Sequence, residues 1–321
     1  MHAETRGGYR VETVTSCPAC GGTELADWVT GRDQLLDRSD EAFLYARCGT
    51  CGAYAQKRRP TEDSIAYFYQ GDYGPYGRKT SRAPPFRVLH KLLMSIATRI
   101  SGEHRAKLRI RDIYSRLTPS SALLDFGCGS GRALDERRKQ FGCRTIGLDF
   151  DTELVTQVAS RGHKAYLAND AGWSQVADQS VDIVTMNHVI EHLYRPVETL
   201  MQIRRVLKPG GLLDIATPNP DGYAAQTFRS DWFGLDCPRH IVLYGPEAAS
   251  IILRRAGFAD LTVIGNPVIK DAVRSKARRD DDFPAWSIES DGWRALKSAL
   301  LVRREAAHGR YEQYHLIAKL S

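Results

Sequence analysis

The run Asp125-Phe126-Gly127-Cys128-Gly129-Ser130-Gly131, with Asp149 twenty residues past Gly129, constrains this chain more than any other feature. Ala122, Leu123 and Leu124 ahead of it read as a buried strand, and Arg132 to Gln140 behind it as a helix that stops at Gly142. The three glycines therefore fall in a strand-to-helix turn. Glycine there tolerates positive φ and lets a ligand approach the backbone, while the free N–H groups and the helix dipole attract an anionic group. Asp149 closes the next apolar run, Thr145-Ile146-Gly147-Leu148, where a carboxylate can accept both hydroxyls of a ribose. The pattern points to a nucleoside-bearing cofactor.

Further apolar runs at 165–167, 181–186 and 212–216 alternate with helical stretches. That alternation predicts an α/β fold, a mostly parallel sheet with helices on both faces. At this point the chain resembles the class I S-adenosylmethionine (SAM) methyltransferases, over roughly residues 105–265 plus the last strand. The resemblance is carried by DFGCGSG at 125–131, GLDFD at 147–151, Asn169-Asp170, VDIVTMNHVIEHL at 181–193 and RRVLKPGGLLDIATPN at 204–219. The GxGxxG spacing of nicotinamide-dependent enzymes does not stand here. The resemblance implies a Rossmann-like sheet of seven strands and a set of cofactor residues. Gly127, Gly129 and Gly131 approach the methionyl part of SAM, and Asp125 helps to hold its amino group. Asp149 takes the ribose, Asp170 and the Ala171 backbone the adenine, and Asn187 and His188 line the sulfonium end.

Cys17-Pro18-Ala19-Cys20 and Cys48-Gly49-Thr50-Cys51 are two CxxC knuckles separated by twenty-seven residues. Four thiolates so arranged can surround one zinc ion tetrahedrally, and a segment this small needs metal because it cannot bury enough apolar surface alone. Short strands at 25–29 and 42–46 between the knuckles complete the expectation of a zinc ribbon. The seven cysteines fit metal binding in a reducing compartment better than a secreted disulfide framework. The first six residues lack a signal-peptide core, and no apolar run reaches membrane-spanning length, so a cytoplasmic protein is expected.

These signals divide the chain into a zinc ribbon at 1–60, a connector with basic amphipathic helices at 61–116, and a SAM-binding domain at 117–321. The connector is rich in tyrosine. Tyr67 and Phe68 are expected to pack the ribbon, while Tyr73 reads as a cofactor lid and Tyr76 as a substrate contact. Phe86, Leu89, Leu92, Leu93, Ile96 and Ile100 recur at helical spacing, on a helix that either lies on a membrane interface or docks on the catalytic domain, a core-facing stripe being the commoner outcome. Residues 78–116 hold eleven Lys or Arg against Glu103 and Asp112, an excess of nine where the whole chain has seven. Such a segment suits an anionic partner or forms a solvated surface.

Residues 220–245 break the strand–helix alternation with a long connection, and such connections are usually functional. Methyl transfer from a sulfonium needs an aligned acceptor, exclusion of water and, for a hydroxyl or amine, removal of a proton. His240 is the candidate base, because imidazole titrates near neutrality. Its alternative role, with Arg239, is to pin the loop. Tyr223, Trp232 and Arg239 are the expected substrate contacts.

The zinc module, tyrosine connector and loop together resemble bacterial methyltransferases associated with sugars, surface polysaccharides and natural products. Sugar C-methyltransferases of that kind carry a further C-terminal domain for which these 321 residues leave no room, which favours O-methylation. The expected partner is a small molecule, phosphorylated or nucleotide-linked. The alternative is a ribosomal- or transfer-RNA base methyltransferase using ribbon and basic segment to hold RNA. Strand five runs into Thr217-Pro218-Asn219-Pro220 rather than the Asn/Asp-Pro-Pro-Tyr/Phe sequence of many base methyltransferases, which weighs against it. A non-catalytic SAM-binding scaffold is the third reading.

Overall fold

A computed structural model describes residues 4–6, 8–70, 87–280 and 292–320. Tyr73, Tyr76 and Phe86 lie outside the described residues. The chain divides into two compact units. The first comprises Met1–Ile110, Pro218–Ala248 and Ile264–Tyr314, and the second Arg111–Thr217, Ala249–Val263 and His315–Ser321.

The second unit is built on a seven-stranded, mostly parallel sheet. Its strands are β1 (Ala122–Phe126), β2 (Arg144–Asp149), β3 (Lys164–Leu167), β4 (Val181–Asn187), β5 (Leu207–Pro218), β6 (Asp260–Asn266) and β7 (Gln313–Lys319). They lie in the order β6-β7-β5-β4-β1-β2-β3. The five strands β1 to β5 pair in parallel, with Leu124 opposite Val184 on one side and Ile146 on the other. Every residue of β1 is buried, Asp125 included, which is why it opens with the continuous apolar run Ala122–Leu124 rather than an alternating one. The expected Rossmann-like sheet is therefore present. Strand order reverses where β1 meets β4, and in open parallel sheets the crevice beyond the strand ends at such a point receives ligands.

Helices α1 (Arg132–Phe141), α2 (Thr152–Ser160), α3 (Asp170–Ser174) and α4 (Pro196–Val206) follow the strands. Helix α1 stops at Gly142, as the spacing predicts. Helix α2 starts at Asp151, whose carboxylate accepts the amides of Glu153 and Leu154, and α3 starts at Asn169, which accepts the Gly172 amide. Helix α4 ends at Val206, ahead of the Gly210-Gly211 pair, and β5 begins at once. The physical cause is Pro209, which disfavours helical backbone at Lys208 and offers no N–H to continue the ladder.

In the first unit, strands Leu25–Gly31, Phe43–Cys48 and Tyr54–Gln56 form an antiparallel sheet. The short strand Val242–Leu243 adds to it beside Ala55 and Tyr54. Residues 220–245, expected as a loop, thus supply a strand, and they also contain a helix at Tyr223–Phe228. Tyr9, Phe43, Tyr45, Phe68 and Trp232 share one buried cluster, with the Tyr9 and Phe68 rings 4.7 Å apart edge to face. Helices Arg87–Ser101, Ile269–Arg279 and Gly292–Ala307 make a second cluster around Ala97, Ile269, Val273 and Ala299.

Candidate functional site

All three glycines of the turn after β1 have positive φ, 74° at Gly127, 50° at Gly129 and 70° at Gly131. Two of these positions also leave no space for a side chain. A Cβ on Gly127 would stand 2.4 Å from Val189 Cγ2, and one on Gly131 would stand 2.8 Å from Val158 Cγ2 as well as 2.5 Å from the Arg161 guanidinium. The turn is a cradle shaped by the residues behind it, with Val189 lying directly against it.

Asp149, at the end of β2, closes the cradle. One carboxylate oxygen accepts the Gly129 amide at 2.7 Å and the other accepts the Asp151 amide at 3.1 Å. Burial holds its pKa above the ordinary carboxylate value, and the amide hydrogen bonds oppose that shift. Asp125, at the end of β1, is also buried and accepts the Thr185 hydroxyl at 2.6 Å. Burial is the main reason its pKa is pushed up to about 7; the nearby charge of Asp149 adds to it, while the Thr185 hydrogen bond pulls it down.

The expected adenine residues Asp170 and Ala171 stand exposed in the first turn of α3. Phe150, given no role from sequence, exposes 59% of its surface between Asp149 and Asp151. Its ring meets Phe126 edge-on at 5.6 Å, and Phe126 in turn stacks on Trp173 at 5.5 Å. The signal that could have found it is the aromatic residue inside GLDFD, directly after the ribose-type acid.

Asn187 ends β4 exposed, and His188 follows in a left-handed conformation with φ 55°. The His188 Nδ1 lies 3.3 Å from Glu191 Oε1, while Glu191 Oε2 accepts the Thr217 hydroxyl at 3.0 Å. Glu191 is completely buried, so it orients the His188 ring from below.

His240 sits in the first unit, nearly buried. Its Nδ1 is 2.8 Å from the Gly234 carbonyl, to which only an N–H can donate, and this leaves Nε2 as the basic nitrogen. Nε2 lies 3.9 Å from Asp236 Oδ2. The His240 carbonyl accepts from the Tyr45 hydroxyl and the Gln56 amide. Arg239, expected to meet substrate, is fully buried. Its guanidinium pairs with Asp33 at 2.8 Å and Asp236 at 2.7 Å and donates to the Phe68 carbonyl at 3.0 Å. Trp232 is also buried, with Trp28 6.5 Å away, and Tyr223 is half-buried against the same cluster.

The four knuckle cysteines converge. Their Sγ atoms all lie within 4.8 Å of one another, at 3.6 Å for Cys17 to Cys51 and 3.5 Å for Cys20 to Cys48.

Residues 102–263 match the family described as methyltransferase domain. The chain is 29% identical over 160 residues to a probable S-adenosylmethionine-dependent methyltransferase of Mycobacterium tuberculosis, covering 48% of this chain and 55% of that one. It is 32% identical over 117 residues to the ubiquinone biosynthesis O-methyltransferase of Cereibacter sphaeroides, covering 34% and 47%. The chain thus spans about half the length of the curated relatives it matches. Among solved structures, geranyl diphosphate C-methyltransferase from Streptomyces coelicolor superposes with a TM-score of 0.50 at 15% identity, covering 81% of this chain and 98% of that chain. This likeness is one of fold.

Proposed function

Since the chain belongs to the methyltransferase domain family, we propose that it transfers the methyl group of SAM to a small-molecule acceptor, a hydroxyl of a sugar, glycan precursor or natural product. The observation that carries the SAM part of this reading is the turn of three left-handed glycines closed by Asp149. A side chain at Gly127 or Gly131 would collide with the residues behind the turn and distort it, and the buried Asp125 carboxyl at its edge suits a cationic amino group. These features fit SAM, with Asp149 toward the ribose, Asp170 and Ala171 toward the adenine, and Phe150 as an apolar face for the base. Bound SAM supplies an electrophilic methyl whose thioether leaving group needs no proton.

The chain's own work is to hold and deprotonate the acceptor. His240 is our assignment for the proton acceptor, through Nε2, because the Gly234 carbonyl fixes the proton on Nδ1. Arg239 holds that loop in shape through its ion pairs with Asp33 and Asp236. Zinc belongs to the same reading. Four thiolates on a tetrahedron with Zn–S bonds of about 2.3 Å are separated by about 3.8 Å, close to the observed sulfur spacings. Cys17, Cys20, Cys48 and Cys51 would hold it as a structural ion.

Incubating the protein with methyl-labelled SAM and fractionated extracts tests the reading. Label in a sugar-containing small molecule supports it. Label confined to RNA would replace it with the nucleic-acid alternative.

A further inference from the structure

Nine large apolar side chains stand exposed among the described residues, and six of them lie on two helices that pack on one another, Arg87–Ser101 and Gly292–Ala307. They are Leu89, Leu92 and Ile96 on the first helix, and Trp293, Leu300 and Leu301 on the second. Leu300 is the most open, at 67%. On each helix the residues that pack inward form a separate stripe, Leu93 and Ala97 on one and Ala295, Ala299 and Val302 on the other. The exposed apolar residues are therefore additional to those the fold needs.

The charges on the same two helices have one sign. Lys91, Arg99, Arg294, Lys297, Arg303 and Arg304 are exposed. The helix Arg87–Ser101 contains no Asp or Glu, and the one acid on Gly292–Ala307, Glu305, is buried beside Arg310, with Arg304 4.0 Å away. We propose that this two-helix layer is a docking surface for an anionic lipid bilayer, lying in the headgroup region with its leucines and Trp293 inserted and its cations on the lipid phosphates. Leucine and tryptophan alternating with Lys and Arg, without acids, is the chemistry that partitions to such an interface. A second copy of this chain fits less well, because a two-fold contact would bring the same cations face to face. Nucleic acid would neutralise the cations but leave the leucines against phosphate and water. Among the described residues no helix is long and apolar enough to cross a membrane.

Co-sedimentation of the full chain with vesicles decides it. Vesicles of mixed phosphatidylcholine and phosphatidylglycerol should retain the protein at low salt and release it as salt rises, whereas phosphatidylcholine alone should not retain it. The double variant Leu92→Ser/Leu300→Ser should reduce the vesicle partition coefficient at least about tenfold, with SAM affinity and melting temperature unchanged because both side chains face solvent. Absence of wild-type binding to the anionic vesicles would overturn the proposal. So would binding that the leucine variant leaves intact, or a monomer–dimer equilibrium by light scattering that the same variant abolishes.

Discussion

The Asp149 carboxylate accepts the backbone amide of Gly129 across 2.7 Å, joining the end of β2 to the glycine turn after β1. The same side chain that the sequence assigns to a ribose is thus part of the wall that shapes the cradle. Its removal should cost more than one ligand contact. For Asp149→Ala, SAM affinity measured by calorimetry is expected to fall about 10- to 100-fold, the worth of a charge-assisted hydrogen bond plus a loosened turn. Asp149→Asn, which keeps one acceptor oxygen for the amide, should lose less. Equal affinity in the alanine variant would remove Asp149 from the cofactor site.

Gly127 offers a steric test of the same cradle. With φ at 74° and Val189 Cγ2 2.4 Å from a prospective Cβ, Gly127→Ala must strain the backbone and displace Val189. A melting-temperature loss corresponding to about 1–3 kcal/mol is expected, together with weakened SAM binding. Adding Val189→Ala should restore part of the stability, since it removes the clash but not the φ strain.

If Asp125 holds the amino group of SAM as proposed, SAM binding should depend on pH. Its pKa in the folded protein is about 7, raised from 3.8, so near pH 6 the carboxyl is mostly protonated. A cation at this carboxyl favours the ionised form, so SAM binding should release a proton and strengthen as pH rises from about 6 to 8. Calorimetry in buffers of different ionisation enthalpy measures that proton directly, and Asp125→Asn should abolish both effects. The stability consequence has the opposite sign. The folded state holds this proton more tightly than the unfolded chain, so the ligand-free protein loses stability as pH rises from about 4 through about 7, by a few kcal/mol at most from this group.

For His240→Asn, turnover on the identified acceptor should fall by about 10² to 10⁴ while SAM affinity changes little. If the melting temperature falls instead and turnover per folded molecule holds, His240 serves the loop alone. Arg239→Met is the matching control. It leaves the buried Asp33 and the partly buried Asp236 without their guanidinium, and it is expected to cost about 3–5 kcal/mol of stability.

One zinc per chain is expected by metal analysis. Chelation should unfold the segment around strands Leu25–Gly31 and Phe43–Cys48, visible as loss of amide protection there, with the β1–β5 sheet remaining protected. Metal analysis that finds no zinc in freshly purified protein would remove the ribbon assignment.

The sheet was legible because its signals are local. Continuous apolar runs mark buried parallel strands and the glycines mark the turn, whereas the helix starts at Asp151 and Asn169 became visible only through the amides they cap. The stretch 220–245 was not. Its helix at Tyr223–Phe228 is short, and the strand Val242–Leu243 exists only because Tyr54 and Ala55 present an edge to pair with. Phe150 was overlooked for a related reason, since an aromatic residue after an apolar run reads as one more core position until its exposure is known.

By itself the sequence determined the strand-to-helix turn, the acids that follow it, the cysteine quartet and the class of sheet, all patterns written in periodicity and short-range spacing. Only the tertiary structure decided what each polar side chain is committed to. Arg239 is bound to Asp33 and the Phe68 carbonyl, Glu191 lies beneath His188 and takes the Thr217 hydroxyl, and Asp149 closes on Gly129. Burial and hydrogen-bond partners are set by segments that meet only after folding, and they decide whether an ionisable group is free to meet a ligand or is spent holding the protein together.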